Sequence, residues 1–439
     1  MPPLTKTYTT RILLNIKENS LRLKNLSPIE KHSTILLLVA ALFNGVVQSL
    51  GQTQDIIARK ALHAQDWQLM LMTMIWPISN FLSIWWGRIF EKSSHKSRYF
   101  LLAGIVGRLS LVYAIWIVSM NEYMVLLGLL FSANSLLIPA QNSIYQKNID
   151  ASRRAKVFGY TLSLGMLISI AVTFVAGRML DIHEQSFRWI LVGTGFCGFI
   201  SCAVLSMIRI QDPIGIKDTA KVPMRTQLLD PIKRTLTLLK ENKPFAAFER
   251  SFSIYGMGFI MMQPIIPIYL VDKLHLSYTN NFLAKGILSQ VGMLLLSPMI
   301  GKIHDRMHPF KFISRSFAIL MVFPLLFVAS SLWAGDGIIP VVIVFVAYFI
   351  FGIAMAAVNV SWNMSSIYFA GKEDAGMYQS VHVTMTGIRG LIAPILGFTL
   401  LRVFNITAVF IVAAGFLAWA SIISYSDYKR IKKVPDILL

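Results

Sequence analysis

The run Gly87-Arg88-Ile89-Phe90-Glu91-Lys92 closes one apolar stretch of this chain, and Gly301-Lys302-Ile303-His304-Asp305-Arg306 closes another. Both read glycine, base, isoleucine, any residue, acid, base, and a basic segment follows each (Lys96 and Arg98; Lys311 and Arg315). Two copies about half a chain apart imply two structural halves of one membrane protein. The glycine lets helices approach closely, and the carboxylate can cap a helix N-terminus across the interface of the halves, where the macrodipole favours an anion. Such a contact stabilises one conformation and must break when that end opens.

The remaining composition reads the same way. Of 439 residues, 55% are hydrophobic and only 14% charged, too few to cover the surface of soluble domains of that size. A membrane span takes about 20 mostly apolar residues. Twelve stretches qualify, near 33–54, 67–89, 99–119, 122–145, 157–180, 188–209, 248–271, 280–301, 312–334, 338–368, 378–402 and 406–426. The gaps around 120–122 and 334–338 demand tight helical hairpins.

A net charge of +20 would suggest a nucleic-acid partner in a soluble protein, but its distribution excludes one here. With the N-terminus inside, the inward segments hold 32 Lys plus Arg and the outward segments 6, while Arg108, Lys285 and Arg389 lie within spans. This positive-inside bias predicts that both termini are cytoplasmic. Residues 1–32 show no apolar core of a cleavable leader, and are expected to form a cytoplasmic tail with a short amphipathic helix around 12–26. Cys197 and Cys202 both fall in the sixth span, so neither a disulfide framework nor a cysteine metal site organises the chain. No cofactor is expected.

Residues 210–247 are the one long polar stretch, punctuated by Pro213, Gly215, Pro223, Pro231 and Pro244. Leu228, Leu229, Ile232, Leu236 and Leu239 give it an amphipathic run, so it reads as a cytoplasmic linker with an interfacial helix. The expected order is a tail (1–32), a six-helix bundle (33–209), the linker (210–247), a second six-helix bundle (248–426) and a tail (427–439). Ser143-Ile144-Tyr145 ends the fourth span and Ser366-Ile367-Tyr368 the tenth, a further trace of duplication.

The repeated pattern resembles the loop between helices 2 and 3, and its echo between helices 8 and 9, in the major facilitator superfamily of secondary transporters. The resemblance extends over residues 33–426. It implies an all-α polytopic membrane protein with twelve transmembrane helices in two pseudo-symmetric six-helix bundles, which rock about a central site. It also implies that Gly87, Arg88, Glu91, Lys92, Gly301, Asp305 and Arg306 gate the inner side. Glu91 departs from the aspartate usual at its place, which keeps the charge and changes the reach.

In that superfamily spans 1, 4, 7 and 10 line the cavity, and polar side chains occur on all four here. Span 1 carries Asn44, Gln48, Gln52 and Asp55 on one face. Span 4 has Asn134, Gln141 and Tyr145; span 7 has Tyr255, Gln263 and Tyr269; span 10 has Asn359, Asn363 and Ser366. For any one of them, hydrogen bonding between helices is the competing role. Among the cations, Arg389 lies mid-span with His382 and Thr386 near its face, Lys285 enters span 8 from the outer side, and Arg108 reads as a structural pairing residue. Asp55, Asp181, Glu249 and Asp272 sit near span ends, so the cavity is expected to be net positive.

An anionic or zwitterionic small solute follows as the expected substrate, bound by Asn44, Gln48, Gln52, Asp55, Asn134, Gln141, Tyr255, Gln263, Lys285, Asn359, Asn363, His382 and Arg389. Drug–proton antiport is the alternative. Against it stand the lack of a mid-span carboxylate and of the arginine-bearing fourth-helix motif and Gly-Pro-x-x-Gly-Gly run typical of that group. A transport-inactive receptor or assembly factor is a further alternative. Soluble-enzyme motifs are missing, so no catalytic residue is assigned. The expected partners are the solute, a coupling ion such as a proton, and the lipid bilayer. The expected form is a monomer in a bacterial inner (plasma) membrane. His304 and His308, four residues apart in a loop, read as a solvated face.

Overall fold

The structure is a computed structural model that describes residues 26–93, 95–210, 235–333, 337–370 and 375–433. The expected helix at 12–26 and most of the linker run, including Leu228, Leu229 and Ile232, lie outside the described residues; Leu236 and Leu239 fall in a helical segment at 235–241.

Among the described residues twelve long rods follow one another: α1 (Pro28–Lys60), α2 (Asp66–Lys92), α3 (Lys96–Trp116), α4 (Met120–Asn148), α5 (Ala151–Ile182), α6 (Phe187–Ser206), α7 (Lys243–Lys273), α8 (residues 278–305), α9 (Pro309–Leu332), α10 (Ile338–Ala370), α11 (Ala375–Val403) and α12 (Ile406–Lys433). Ten are long and apolar enough to cross a membrane by themselves. The other two, α2 and α8, are the rods that end in the charged repeats. Most rods outrun the predicted spans because polar caps extend them. Ser27 accepts from the Glu30 amide with Pro28 in the first turn, Ser119 and Glu122 form a capping box on α4, and Asn242 accepts from the Phe245 amide at the head of α7.

The packing of the first six rods is repeated by the last six. α1 packs on α5 and α6, α2 on α4, and α3 on α6; α7 packs on α11 and α12, α8 on α10, and α9 on α12. Two seams join the sets, α2 against α11 and α5 against α8. Small residues allow both approaches. A Cβ on Gly390 would lie 2.3 Å from Pro77 of α2, and one on Gly286 would lie 2.7 Å from Thr173 of α5. Within the last six rods the core is aromatic: Phe245, Phe248 and Phe252 of α7 interlock with Phe310 and Phe317 of α9, each at most 1% exposed.

Three rods are irregular, and each irregularity places a polar side chain. A wide turn at Gly104–Arg108 in α3 leads into a tight helix at Leu109–Trp116 and directs Arg108 inward. α7 breaks after Met262, where Pro264 and Pro267 lack the amide hydrogens a continuous helix would use. α8 runs from Tyr278–Phe282 through a wide turn at Leu283–Leu288 into Ser289–Asp305.

Candidate functional site

A cavity of about 470 Å³ lies between the two sets of rods. Its walls are mostly large and apolar: Met72, Trp76, Phe131, Phe259, Met293, Phe323, Phe351 and Met355. Five predicted residues line it, namely Gln52, Asp55, Gln263, Lys285 and Asn359. Gln54, Thr73, Gln290 and Tyr348 join them without having been singled out by sequence.

The charged feature of this cavity is an ion pair across the two sets. Lys285 of α8 donates to the Asp55 carboxylate of α1, with side-chain exposures of 15% and 12%. The wide turn of α8 swings Lys285 toward α1, and Gly286 lets that turn reach Gln52 and Thr173 closely enough for the contact. The other Asp55 oxygen accepts from the Ile56 amide at 3.0 Å. A cavity holding one matched pair is electrically neutral at its wall. The expectation of a net positive cavity is therefore corrected, because Lys285 has a partner.

The remaining predicted residues lie elsewhere. Asn44, Gln48 and Gln141 line a second pocket of about 170 Å³ inside the first six rods. Asn134 accepts from buried Arg108 at 2.5 Å, which makes it a structural partner rather than part of the cavity wall. Tyr255, His382 and Arg389 are buried within the last six rods and do not line the cavity. Arg389 donates to the Phe252 carbonyl and to the Thr386 hydroxyl (2.8 Å), and its guanidinium lies 5.6 Å from the Trp362 ring centre. Its mid-span position is thus met by backbone, hydroxyl and aromatic faces. Beside it, His382 Nδ1 stands 2.6 Å from Glu249 Oε1. Glu249, read from sequence as a span-end acid, is 1% exposed in this cluster.

The rods have two ends. One carries the 207–242 connection and is called here the linker end; the other is the far end. Polar contacts between the two sets gather at the far end. Arg59 bonds Asp272, Nε donating at 3.0 and 3.1 Å, and reaches Asp66 at 3.1 Å. Lys60 donates to the Leu276 carbonyl at 2.9 Å and sits 4.4 Å over the Tyr278 ring. The Asp181 carboxylate at the end of α5 accepts from the Tyr278 and Thr279 amides at 2.7 and 3.0 Å, capping α8, while the Tyr278 hydroxyl donates to Glu184 at 2.5 Å. At the linker end, the ion pairs and hydrogen bonds among the described residues include Arg153 with Glu30 (2.9 Å), Arg250 with Asp427 (2.7 Å), and Asn242 with Tyr378 (2.9 Å), each within one set.

The predicted gate residues lie at that linker end. The side chains of Arg88, Glu91, Lys92, Asp305 and Asn363, and the surroundings of Gly87, are outside the described residues. Arg306 is exposed. Among the described residues a Cβ on Gly301 would meet nothing within 4 Å. His308 departs from the expected solvated face. It caps α9 through the Phe310 amide, packs on Phe310, Tyr368 and Tyr428, and burial lowers its imidazole below the ordinary range.

The sequence profile of the Major Facilitator Superfamily matches residues 33–394. Multidrug resistance protein MdtG of Escherichia coli (strain 55989 / EAEC) is 22% identical over 380 residues, covering 84% of this chain and 86% of that protein. Among solved structures, the nucleoside transporter NupG superposes with a TM-score of 0.67 at 14% identity, covering 92% of this chain and 100% of that one. A bacterial homolog of the human lysosomal transporter Spinster, solved inward-facing and unoccupied, gives 0.62 at 12% identity over 91% and 98% of the two chains. At such identities these structures establish similarity of fold alone.

Proposed function

The chain belongs to the major facilitator superfamily, and from that premise we propose that this secondary transporter moves amphipathic organic solutes, uncharged or cationic, out of a bacterial cell. The observation that carries the proposal is the cavity wall. Methionine and aromatic faces adapt to apolar solutes of varied shape, and aromatic faces attract cations. The amides of Gln52, Gln263, Gln290 and Asn359 offer hydrogen bonds without demanding one charge. MdtG, named for multidrug resistance, supports the same direction.

The anion expected from sequence loses its basis once Lys285 is matched by Asp55. One observation favours a second reading, a zwitterion: its two charges match the two members of that pair. In the proposed topology both termini are cytoplasmic and the membrane is the bacterial inner membrane. The linker end is then the inner one, the far-end seal closes the outside, and the conformation is inward-facing.

Proteoliposomes holding the purified protein decide between these readings. Saturable transport of tetraphenylphosphonium, competed by ethidium and weakened by Asp55→Asn, is the expected result. No transport of either cation, together with saturable uptake of a small anion or amino acid, overturns the proposal.

A further inference from the structure

From the cluster inside the last six rods we infer that His382 and Glu249 form a proton-binding site, separate from the solute cavity, that couples transport to the proton gradient. The inference rests on family membership and on no particular solute. Glu249 Oε2 and His382 Nε2 are buried atoms with no hydrogen-bond partner, although their neighbours Oε1 and Nδ1 meet at 2.6 Å. With Glu249 ionised and His382 neutral, Nδ1 carries the shared hydrogen and Nε2 keeps an unused lone pair. Buried polar atoms are rarely left unmatched, so two of them on one titratable pair call for a role.

The surroundings suit both protonation states. Glu249 comes from α7, while Arg389 lies on the same helix as His382, linked to it through Thr386, whose hydroxyl donates to the His382 carbonyl at 2.9 Å. Tyr255 of α7 faces Arg389, and Tyr378 lies one turn before His382 on α11, bonded to Asn242. Phe248 and Phe252 of α7 also pack on the imidazole. With neutral His382, Glu249 and Arg389 balance. When Nε2 takes one proton from water, the imidazole becomes imidazolium and the cluster gains one positive charge. Glu249 stabilises the charged form and Arg389 opposes it, while the Trp362 ring packs edge-to-face with the imidazole, the ring centres 4.2 Å apart at 73°.

Two contacts connect occupancy to movement. Trp362 lies three residues beyond Asn359, which lines the solute cavity, on α10. On α11, Gly387 and Gly390 form the seam with α2 just beyond His382. A charge appearing at His382 thus acts on the helix of the cavity wall and on the helix of the seam.

Acid–base titration of the purified transporter in unbuffered detergent solution tests the site without any solute. Wild type should bind one proton more than His382→Asn, which keeps a donor toward Glu249 and removes the titrating ring. In proteoliposomes, both His382→Asn and Glu249→Gln should retain exchange of tetraphenylphosphonium across the membrane at equal pH and lose its accumulation under an imposed pH gradient. Equal proton counts, or undiminished gradient-driven accumulation in either variant, would overturn the assignment. If wild type does not move tetraphenylphosphonium, the solute reading fails while the titration still decides the proton site.

Discussion

Replacing Asp181 with asparagine should open the far end without unfolding either set of rods. Its carboxylate holds the Tyr278 and Thr279 amides at 2.7 and 3.0 Å, and these cross from α5 to the head of α8. Hydrogen bonds to a charged group contribute about 1.5–3 kcal/mol each, and an anion at a helix N-terminus adds about 0.3–1 kcal/mol. Asp181 is exposed, so water competes for both bonds. Asparagine keeps one carbonyl oxygen and can retain one of them. The net loss is about 1.5 kcal/mol, near the 1.4 kcal/mol that changes an equilibrium about tenfold. Because the contacts exist only while the far end is closed, the loss falls on that conformation alone. Spin labels on His183→Cys and Lys273→Cys, both exposed, report the separation of the sets there by pulsed electron resonance. Asp181→Asn should raise the long-distance population about tenfold relative to the short, with an unchanged melting temperature. An unaltered distribution would mean that Asp181 decorates the seam and the seal lies in the Arg59–Asp272 contact or the glycine seams.

Asp55→Asn leaves Lys285 in the wall without its counter-charge; breaking a buried pair costs about 3–5 kcal/mol, and partial exposure puts this one near the low end. Thermal unfolding in detergent should show a clear drop for Asp55→Asn and recovery of most of it in Asp55→Asn/Lys285→Gln, whereas equal losses in both would deny the pair its part. For topology, a cysteine at Arg209 should resist an impermeant thiol reagent in intact cells while one at His63 reacts; the reverse pattern would invert the assignment of inner and outer ends.

The twelve rods were legible because each needs an apolar run that no soluble helix would tolerate, and their caps, such as Ser119 with Glu122, are local. The division of the polar residues was not. Gln48 and Asp55 share a face at helical spacing, yet seven residues of helix span about 10 Å, enough to carry them into two different pockets. Glu249 and His382 are 133 positions apart, and their meeting depends on how α7 packs on α11. A carboxylate that caps a helix across the two sets is seen at Asp181, a residue the repeated loops did not point to, while the side chains of Glu91 and Asp305 lie outside the described residues. A side chain capping another helix leaves no trace in its own neighbourhood, whereas a repeated hexapeptide draws the eye to itself.

The wide turn at Leu283–Leu288 has one more consequence. A turn closed by a bond to the fifth residue rather than the fourth stores one surplus residue, and a residue is about 100° of rotation on a helix of 3.6 per turn. The two segments of α8 are therefore out of phase. Deleting a single residue there would restore a regular spiral and rotate everything from Ser289 to Asp305 relative to the capped head at Tyr278. Lys285 faces Asp55 by virtue of this angular offset, so the site is encoded as much by the length of the segment as by the lysine within it.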